Sequence, residues 1–219
     1  MDSRLKEFEK GHENFQKIKF KESKERFKKL IDEGQHPKAL FIGCSDSRVM
    51  PAMITGSGPG DLFIVRNIGN FVAPYKPDED YHATASAIEY AATVLEVSDI
   101  IVCGHSHCGA IESLHKNIKP TSENIHTLKW LELGNEAKKV ALLAYGKDDR
   151  DAMLRYTEKI SVVFQLDNLL TYPGVKKRVE EGTLFLHGWH YHIEDGDIEY
   201  YDDESYTFKP LSSHTEGVS

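Results

Sequence analysis

Three short, uninterrupted apolar runs constrain the fold of this chain more than any other feature. Ala39-Leu40-Phe41-Ile42, Leu62-Phe63-Ile64-Val65 and Asp99-Ile100-Ile101-Val102-Cys103 lack the polar alternation of a half-exposed strand. Runs of this kind are strands buried on both faces. Between the last two, His82 to Val97 carries Ala85, Ile88, Ala91, Ala92 and Leu95 at helical spacing. Strand, helix, strand in that order implies a parallel sheet with helices packed against it.

The remaining segments fit around that unit. Residues 1–33 read as two amphipathic helices, with Leu5, Phe8 and Phe15 on one stripe and Phe27, Leu30 and Ile31 on a second, after a break near Lys19-Phe20. Gly34 supplies the C-terminal stop and Pro37 prevents continuation. Gly109 to Lys116 reads as a short helix, and further helices fall near 125–145 and 149–171, the latter closed by Tyr172-Pro173-Gly174. Thr183 to His187 and Asp197 to Tyr201 read as strands joined by a hairpin turn at Glu194-Asp195-Gly196. The predicted architecture is α/β, with a mainly parallel central β-sheet flanked by helices. An N-terminal helical arm (1–34) precedes one domain (35–208), and a polar, frayed tail (209–219) follows it.

Charge and cysteine content narrow the function. With 35 Asp and Glu against 27 Lys and Arg, the 219-residue chain carries a formal charge of −8, which disfavours nucleic acid and anionic membrane as partners. No apolar run approaches the roughly 18 residues that a membrane span needs. The charged N-terminus lacks the apolar core of a signal peptide, and a cytoplasmic location is expected. Three cysteines, at 44, 103 and 108, cannot form a full disulfide framework and read as reduced thiols. With 11 histidines in the chain, those thiols are either core filler or metal ligands.

Two clusters decide between these readings, because each follows a predicted parallel strand. Cys44-Ser45-Asp46-Ser47-Arg48 follows the first strand and His105-Ser106-His107-Cys108 follows the third. The C-terminal edge of such a sheet is where loops converge on a ligand. Two thiolates and one imidazole suit Zn²⁺, and a Cys₂His set with a fourth place open to water is a catalytic pattern. Each fragment alone would be ordinary loop sequence; their joint placement is what carries the reading.

These residues resemble the paired signature of the β-class carbonic anhydrases. The similarity extends to Gly34-Gln35-His36-Pro37, Val65-Arg66-Asn67-Ile68-Gly69-Asn70, Ala87-Ile88-Glu89-Tyr90, Asn168 to Pro173, and His187-Gly188-Trp189, so that it spans roughly residues 30 to 200. The resemblance implies reversible hydration of carbon dioxide to bicarbonate and a proton, by attack of zinc-bound hydroxide on CO₂. Cys44, His105 and Cys108 would hold one Zn²⁺ per chain. Zinc lowers the pKa of a bound water from about 15.7 toward ~7, although two thiolates should weaken that effect. Asp46, paired with Arg48, would accept a hydrogen bond from the water, and Arg48 would oppose a closed arrangement in which Asp46 itself ligates zinc. Gln35, Phe63 and Tyr90 would form the substrate pocket: an amide donor to a bicarbonate oxygen, and two aromatic walls suited to CO₂. On residue type alone, Phe63 and Tyr90 are core positions of a strand and a helix.

The resemblance also implies a homodimer or homotetramer with its cleft at the subunit interface, and the aromatic stripe of residues 5 to 31 suits an arm crossing to a partner. One subclass binds regulatory bicarbonate with a Trp, an Arg and a Tyr. Arg66 and Tyr191 match it, but Phe41 has no indole N–H in the third position, which favours the subclass without that site. His187, His190 and His192 read as exposed strand histidines, His107 faces away from the metal, and Cys103 is a buried thiol. The rival activities are hydrolysis of carbon disulfide or carbonyl sulfide on the same framework, and a zinc-independent Cys–His hydrolase using Cys44 and His105.

Overall fold

The computed structural model describes residues 3–146 and 148–212. Its centre is a six-stranded sheet with strand order β2-β1-β3-β4-β5-β6. The strands are β1 (Ala39–Cys44), β2 (Leu62–Asn67), β3 (Asp99–His105), β4 (Phe185–Tyr191), β5 (Ile198–Asp202) and β6 (Thr207–Pro210). β2, β1, β3 and β4 run parallel, and β5 and β6 add antiparallel to the β4 edge. All six residues of β1 are buried, as its uninterrupted apolar sequence demands.

The helices are α1 (Lys6–Phe15), α2 (Lys21–Glu33), α3 (Pro51–Ile54), α4 (Ala83–Glu89), α5 (Gly109–Leu114), α6 (Ile125–Leu131), α7 (Asn135–Tyr145), α8 (Arg150–Leu169) and α9 (Pro173–Glu180). Alternation along the strands sorts side chains to two faces. Leu40, Ile42, Ile100 and Val102 pack with Ile88 of α4 and Val162 and Leu169 of α8. Ala39, Phe41, Ile101 and Cys103 pack on the other face with Ile54 of α3, Trp189 and Tyr191. α8 starts where Asp149 accepts a 3.0 Å hydrogen bond from the Ala152 N–H, an N-cap that satisfies one free donor of the first turn.

Several elements differ from the sequence-based expectation. The arm has no break at Lys19-Phe20. Gln16–Phe20 continues between α1 and α2 as a wider π turn with helical dihedrals at both ends, which shifts the phase of the stripe and lets Phe20 stack on Phe27 at 5.3 Å. Gly34, at φ +84°, does end the helix. Tyr172-Pro173-Gly174 closes α8 and also opens α9, because proline is tolerated in the first helical turn. β4 begins two residues late and extends to Tyr191. Lys209 and Pro210, expected in a frayed tail, pair with Tyr200 and Glu199 in the sheet; residues 213–219 of that tail lie outside the described residues.

His190 is a correction of greater consequence. Instead of an exposed strand residue it is fully buried, because Gly188 and His190 share the face of β4 covered by α8, where a Cβ on Gly188 would lie 3.0 Å from Val162.

α8 packs tightly on the sheet at Gly104, where an added Cβ would sit 2.7 Å from Val162 Cγ2 and 3.5 Å from the Glu158 carbonyl oxygen. We expect Gly104→Ala to cost about 1–3 kcal/mol of stability by overpacking. In chemical denaturation, combining it with Val162→Ala should give a smaller total loss than the sum of the two single losses.

Candidate active site

β1 and β3 pair in parallel from Ala39↔Asp99 to Gly43↔Cys103. With Gly43 opposite Cys103, Cys44 and His105 lie one and two residues further on, at the same edge of the sheet. Cys108 follows after one tight turn. That turn is made by His107 at φ +55°, a left-handed conformation that is uncommon for a residue with a side chain. One ligand atom each from Cys44, His105 and Cys108 lies within 4.8 Å of the others, and all three side chains are buried.

The donor set fits a metal ion. His105 Nδ1 donates to the Ser106 carbonyl at 2.8 Å, which leaves Nε2 with the lone pair. That nitrogen is buried without a hydrogen-bond partner, a costly arrangement unless something accepts the lone pair. Hydrogen bonding from Cys108 is the main cause that lowers the Cys44 thiol, with the Asp46 and Gly69 N–H groups adding to it against burial. Cys108 is raised correspondingly by Cys44 and by burial, although the Ala110 and Ile111 N–H groups favour its thiolate. Burial opposes charge on His105, and the neighbouring Cys44 outweighs it. Two thiols contesting one proton beside a vacant imidazole lone pair match the chemistry of a divalent cation bound by two sulfurs and one nitrogen.

The flanking charges lock the two loops together. Arg48 grips Asp46 in a bidentate fork, Nε to Oδ1 at 2.9 Å and Nη2 to Oδ2 at 2.8 Å. The same Nη2 donates to the His107 carbonyl at 3.0 Å. Hydrogen bonds from Arg48 hold the Asp46 carboxyl well below the usual carboxylate range. Arg66 donates to the carbonyls of Cys44 and Asp46, at 3.0 and 2.6 Å, and so braces the loop after β1. Phe41 is fully buried against Trp189, ring edge to face. Ile68, Ala110, Thr127 and Leu131 line a mostly apolar cleft that opens on Cys44 and Asp46.

The other predicted pocket residues lie elsewhere in the single chain. Phe63 and Tyr90 face each other with ring centroids 5.8 Å apart. Phe63 pairs with Leu40 and Asn67 with Cys44, so Phe63 is four positions, about 13 Å along the strand, from the cysteine end. Gln35 is exposed just beyond the arm.

Sequence reasoning missed two supporting carboxylates, Glu194 and Glu158. Ser106 Oγ donates to Glu194, and His107 Nε2 meets the other oxygen of the same carboxylate, both at 2.5 Å. Glu158 Oε1 accepts from the Cys108 N–H at 3.1 Å and from Arg155 at 2.9 Å. Glu194 sits in a turn motif that gives no hint of its partners. Glu158 left a legible signal: an acidic residue on the buried stripe of α8, beside Leu154 and Val162.

Fold and site together define a class: an α/β protein with a Cys₂His group that could hold a metal at the ends of two parallel strands. A family model described as carbonic anhydrase matches residues 39–198, and the chain belongs to that family, in its β class. It is 39% identical to the carbonic anhydrase of Pseudomonas aeruginosa over 206 residues, covering 94% of this chain and 91% of that protein. It is 37% identical to carbonic anhydrase 1 of Escherichia coli O157:H7, covering 96% and 94%. The solved β-carbonic anhydrase CcaA superposes with a TM-score of 0.88 at 37% identity, covering 95% of this chain and 92% of that one. A tetrameric β-carbonic anhydrase from Sordaria macrospora gives 0.79 at 27% identity, over 91% and 97%.

The Glu194 anchor yields a pH prediction. Ser106 first, and then His107, pull its carboxyl down to about 2 from the ordinary 4.5. A carboxyl depressed in the folded state contributes stability above its unfolded pKa and loses it as pH falls through the folded value. The stability advantage of wild type over Glu194→Gln should therefore be present above pH 4.5 and shrink steadily toward pH 2, as measured by denaturant unfolding of both proteins across that range.

Proposed function

We propose that this protein catalyses the zinc-dependent, reversible hydration of carbon dioxide to bicarbonate and a proton. The observation that carries the reading is the buried Cys44, His105 and Cys108 triad with its unpartnered His105 Nε2, in a chain of the carbonic anhydrase family. Cys44, His105 and Cys108 would hold the zinc, which would supply the Lewis acidity that makes water a nucleophile near neutral pH. The chain's own groups supply orientation. Asp46, kept ionised by Arg48, accepts a hydrogen bond from the attacking water and fixes its direction. The bidentate grip of Arg48 holds the carboxylate back from the metal position. The apolar cleft beside Cys44 suits a neutral, linear substrate better than a charged one.

Gln35, Phe63 and Tyr90 act in this reading as substrate-binding residues contributed by a second copy of the chain. Two observations support an oligomer. α1 has no buried residue although Phe8 is 75% exposed and Ile18 in the adjoining π turn 50%. The aromatic pair also lies on and beside an edge strand, with Ile64 of β2 exposed. No helix among the described residues is long and apolar enough to cross a membrane, and the free cysteines suit a reducing, cytoplasmic setting.

Stopped-flow CO₂ hydration with metal analysis on the same sample tests the function. Stoichiometric zinc and measurable turnover are expected in wild type, and Cys44→Ser should lose both; a zinc-free protein with full turnover would exclude the reading. Sulfide release from carbonyl sulfide, assayed in parallel, separates the alternative substrate class. Arg48→Ala should retain zinc while turnover falls about 10–100-fold, the usual effect of removing a partner of a metal-site residue; unchanged turnover would remove Arg48 from the mechanism. Light scattering should return at least a dimer mass, and an active monomer would defeat the shared pocket.

A further inference from the structure

A second cluster of metal-capable side chains sits on the β4–β5 hairpin, and neither the family membership nor the proposed reaction uses it. Antiparallel pairing sets His190 of β4 directly opposite Glu199 of β5, and His192 follows just beyond β4. One ligand atom from each lies within 4.8 Å of the others. His190 Nδ1 is 4.0 Å from Glu199 Oε2, His192 Nε2 is 2.6 Å from the same oxygen, and the two imidazole rings are 4.8 Å apart.

His190 is what separates this group from an ordinary surface ion pair. Its side chain is fully buried, and its Nε2 lies 3.4 Å from Glu158 Oε2. In the tautomer in which Nε2–H donates to Glu158 Oε2, whose partner oxygen is held by Arg155 and the Cys108 N–H, Nδ1 carries the lone pair. Nδ1 has no hydrogen-bond partner, and among the described residues the only other buried imidazole nitrogen in that condition is His105 Nε2. A histidine with one nitrogen tethered to a carboxylate and the other lone pair aimed at further donors is in the arrangement that holds metal-ligating imidazoles. Burial, reinforced by His192 and Lys159, pushes His190 down to about 3, so it stays neutral and does not act as the cation in a salt bridge.

Ion pairing alone accounts for Glu199 but leaves His190 unexplained. Lys159 Nζ reaches Glu199 Oε2 at 2.5 Å, where His192 also bonds, so two donors share one carboxylate oxygen. The ammonium occupies the cation position, and Nδ1 remains orphaned in the core. We propose that His190, His192 and Glu199 form a second metal site, taking a borderline divalent cation such as Zn²⁺ or Co²⁺ in competition with the ammonium of Lys159. Two imidazoles and a carboxylate suit such ions, whereas Mg²⁺ and Ca²⁺ prefer all-oxygen sets. Competition by Lys159 makes this site weaker than the two-thiolate site. His192 and Glu199 are partly exposed and give the ion a route in.

Co²⁺ titration of the untagged protein, first equilibrated with Zn²⁺ and freed of excess, tests the proposal. Cobalt on thiolates shows a sulfur-to-metal charge-transfer band, and cobalt on two imidazoles and a carboxylate does not. The expected result is one further equivalent per chain with ligand-field absorption but no charge-transfer band. It should disappear in His192→Ala and Glu199→Gln while the zinc already bound is retained, and tighten at least several-fold in Lys159→Met. Absence of the further equivalent from both wild type and Lys159→Met would overturn the site, as would its survival in His192→Ala and Glu199→Gln.

Discussion

The parallel, in-register pairing of β1 with β3 is the constraint on which the rest of this structure depends. Neighbouring strands in a sheet lie about 4.8 Å apart, so two strands that end together deliver their next residues to within metal-binding range of each other. Cys44 and His105 are 61 residues apart in sequence and adjacent for that reason alone. Both loops beyond the strands would be free to move, and the arginines restrain them. Arg66 ties the first loop to β2 through the carbonyls of Cys44 and Asp46. Arg48 ties it to the second loop through the His107 carbonyl. Positions set by backbone pairing are thus held by charge-assisted hydrogen bonds, which are stronger and more directional than neutral ones.

From below, α8 does two jobs with one face. Its apolar residues fill the core, but Thr157, Glu158, Ser161 and Gln165 are buried on the same stripe. Gln165 satisfies the Val72 N–H at 2.9 Å, and Glu158 satisfies the Cys108 N–H while its other oxygen faces His190. Burial raises the Glu158 carboxyl to about 7, with Arg155 as the main opposing influence. A helix that served packing alone would carry leucine at 158. The carboxylate exchanges a desolvation cost for two contacts, one behind each cluster of metal-capable side chains.

How much of this was legible in the sequence follows the range of the forces involved. β1 and β3 could be read because strands buried on both faces leave an uninterrupted apolar run. The Asp46–Arg48 pair could be read because its partners are two residues apart. β4 was misplaced at its ends because His187, Gly188 and His190 look polar or small, and only the packing of α8 shows that 188 and 190 face inward. Glu194 could not be assigned, since Ser106 and His107 reach it across 88 and 87 residues and nothing in a Glu-Asp-Gly turn encodes that contact. Pro173 was read as a stop, which is true of α8, but the same fixed dihedral also starts α9.

The exposed arm follows from the same energetics. α1 and α2 bury no residue within the chain, and α2 is anchored near residues 58–61. There Arg26 donates to the Pro59 carbonyl and pairs with Asp61, and Leu30 fills the space over Gly60. Isolated helices draw little stability from local propensity, and in proteins most of it comes from packing an apolar face. The stripe through Phe8, Phe15 and Phe20 has such a face without a surface of its own chain to cover it. Tyr90, beside Phe63 at the β2 edge, is likewise exposed. In the proposed oligomer, one contact that covered the arm and the β2 edge together would account for both exposed surfaces.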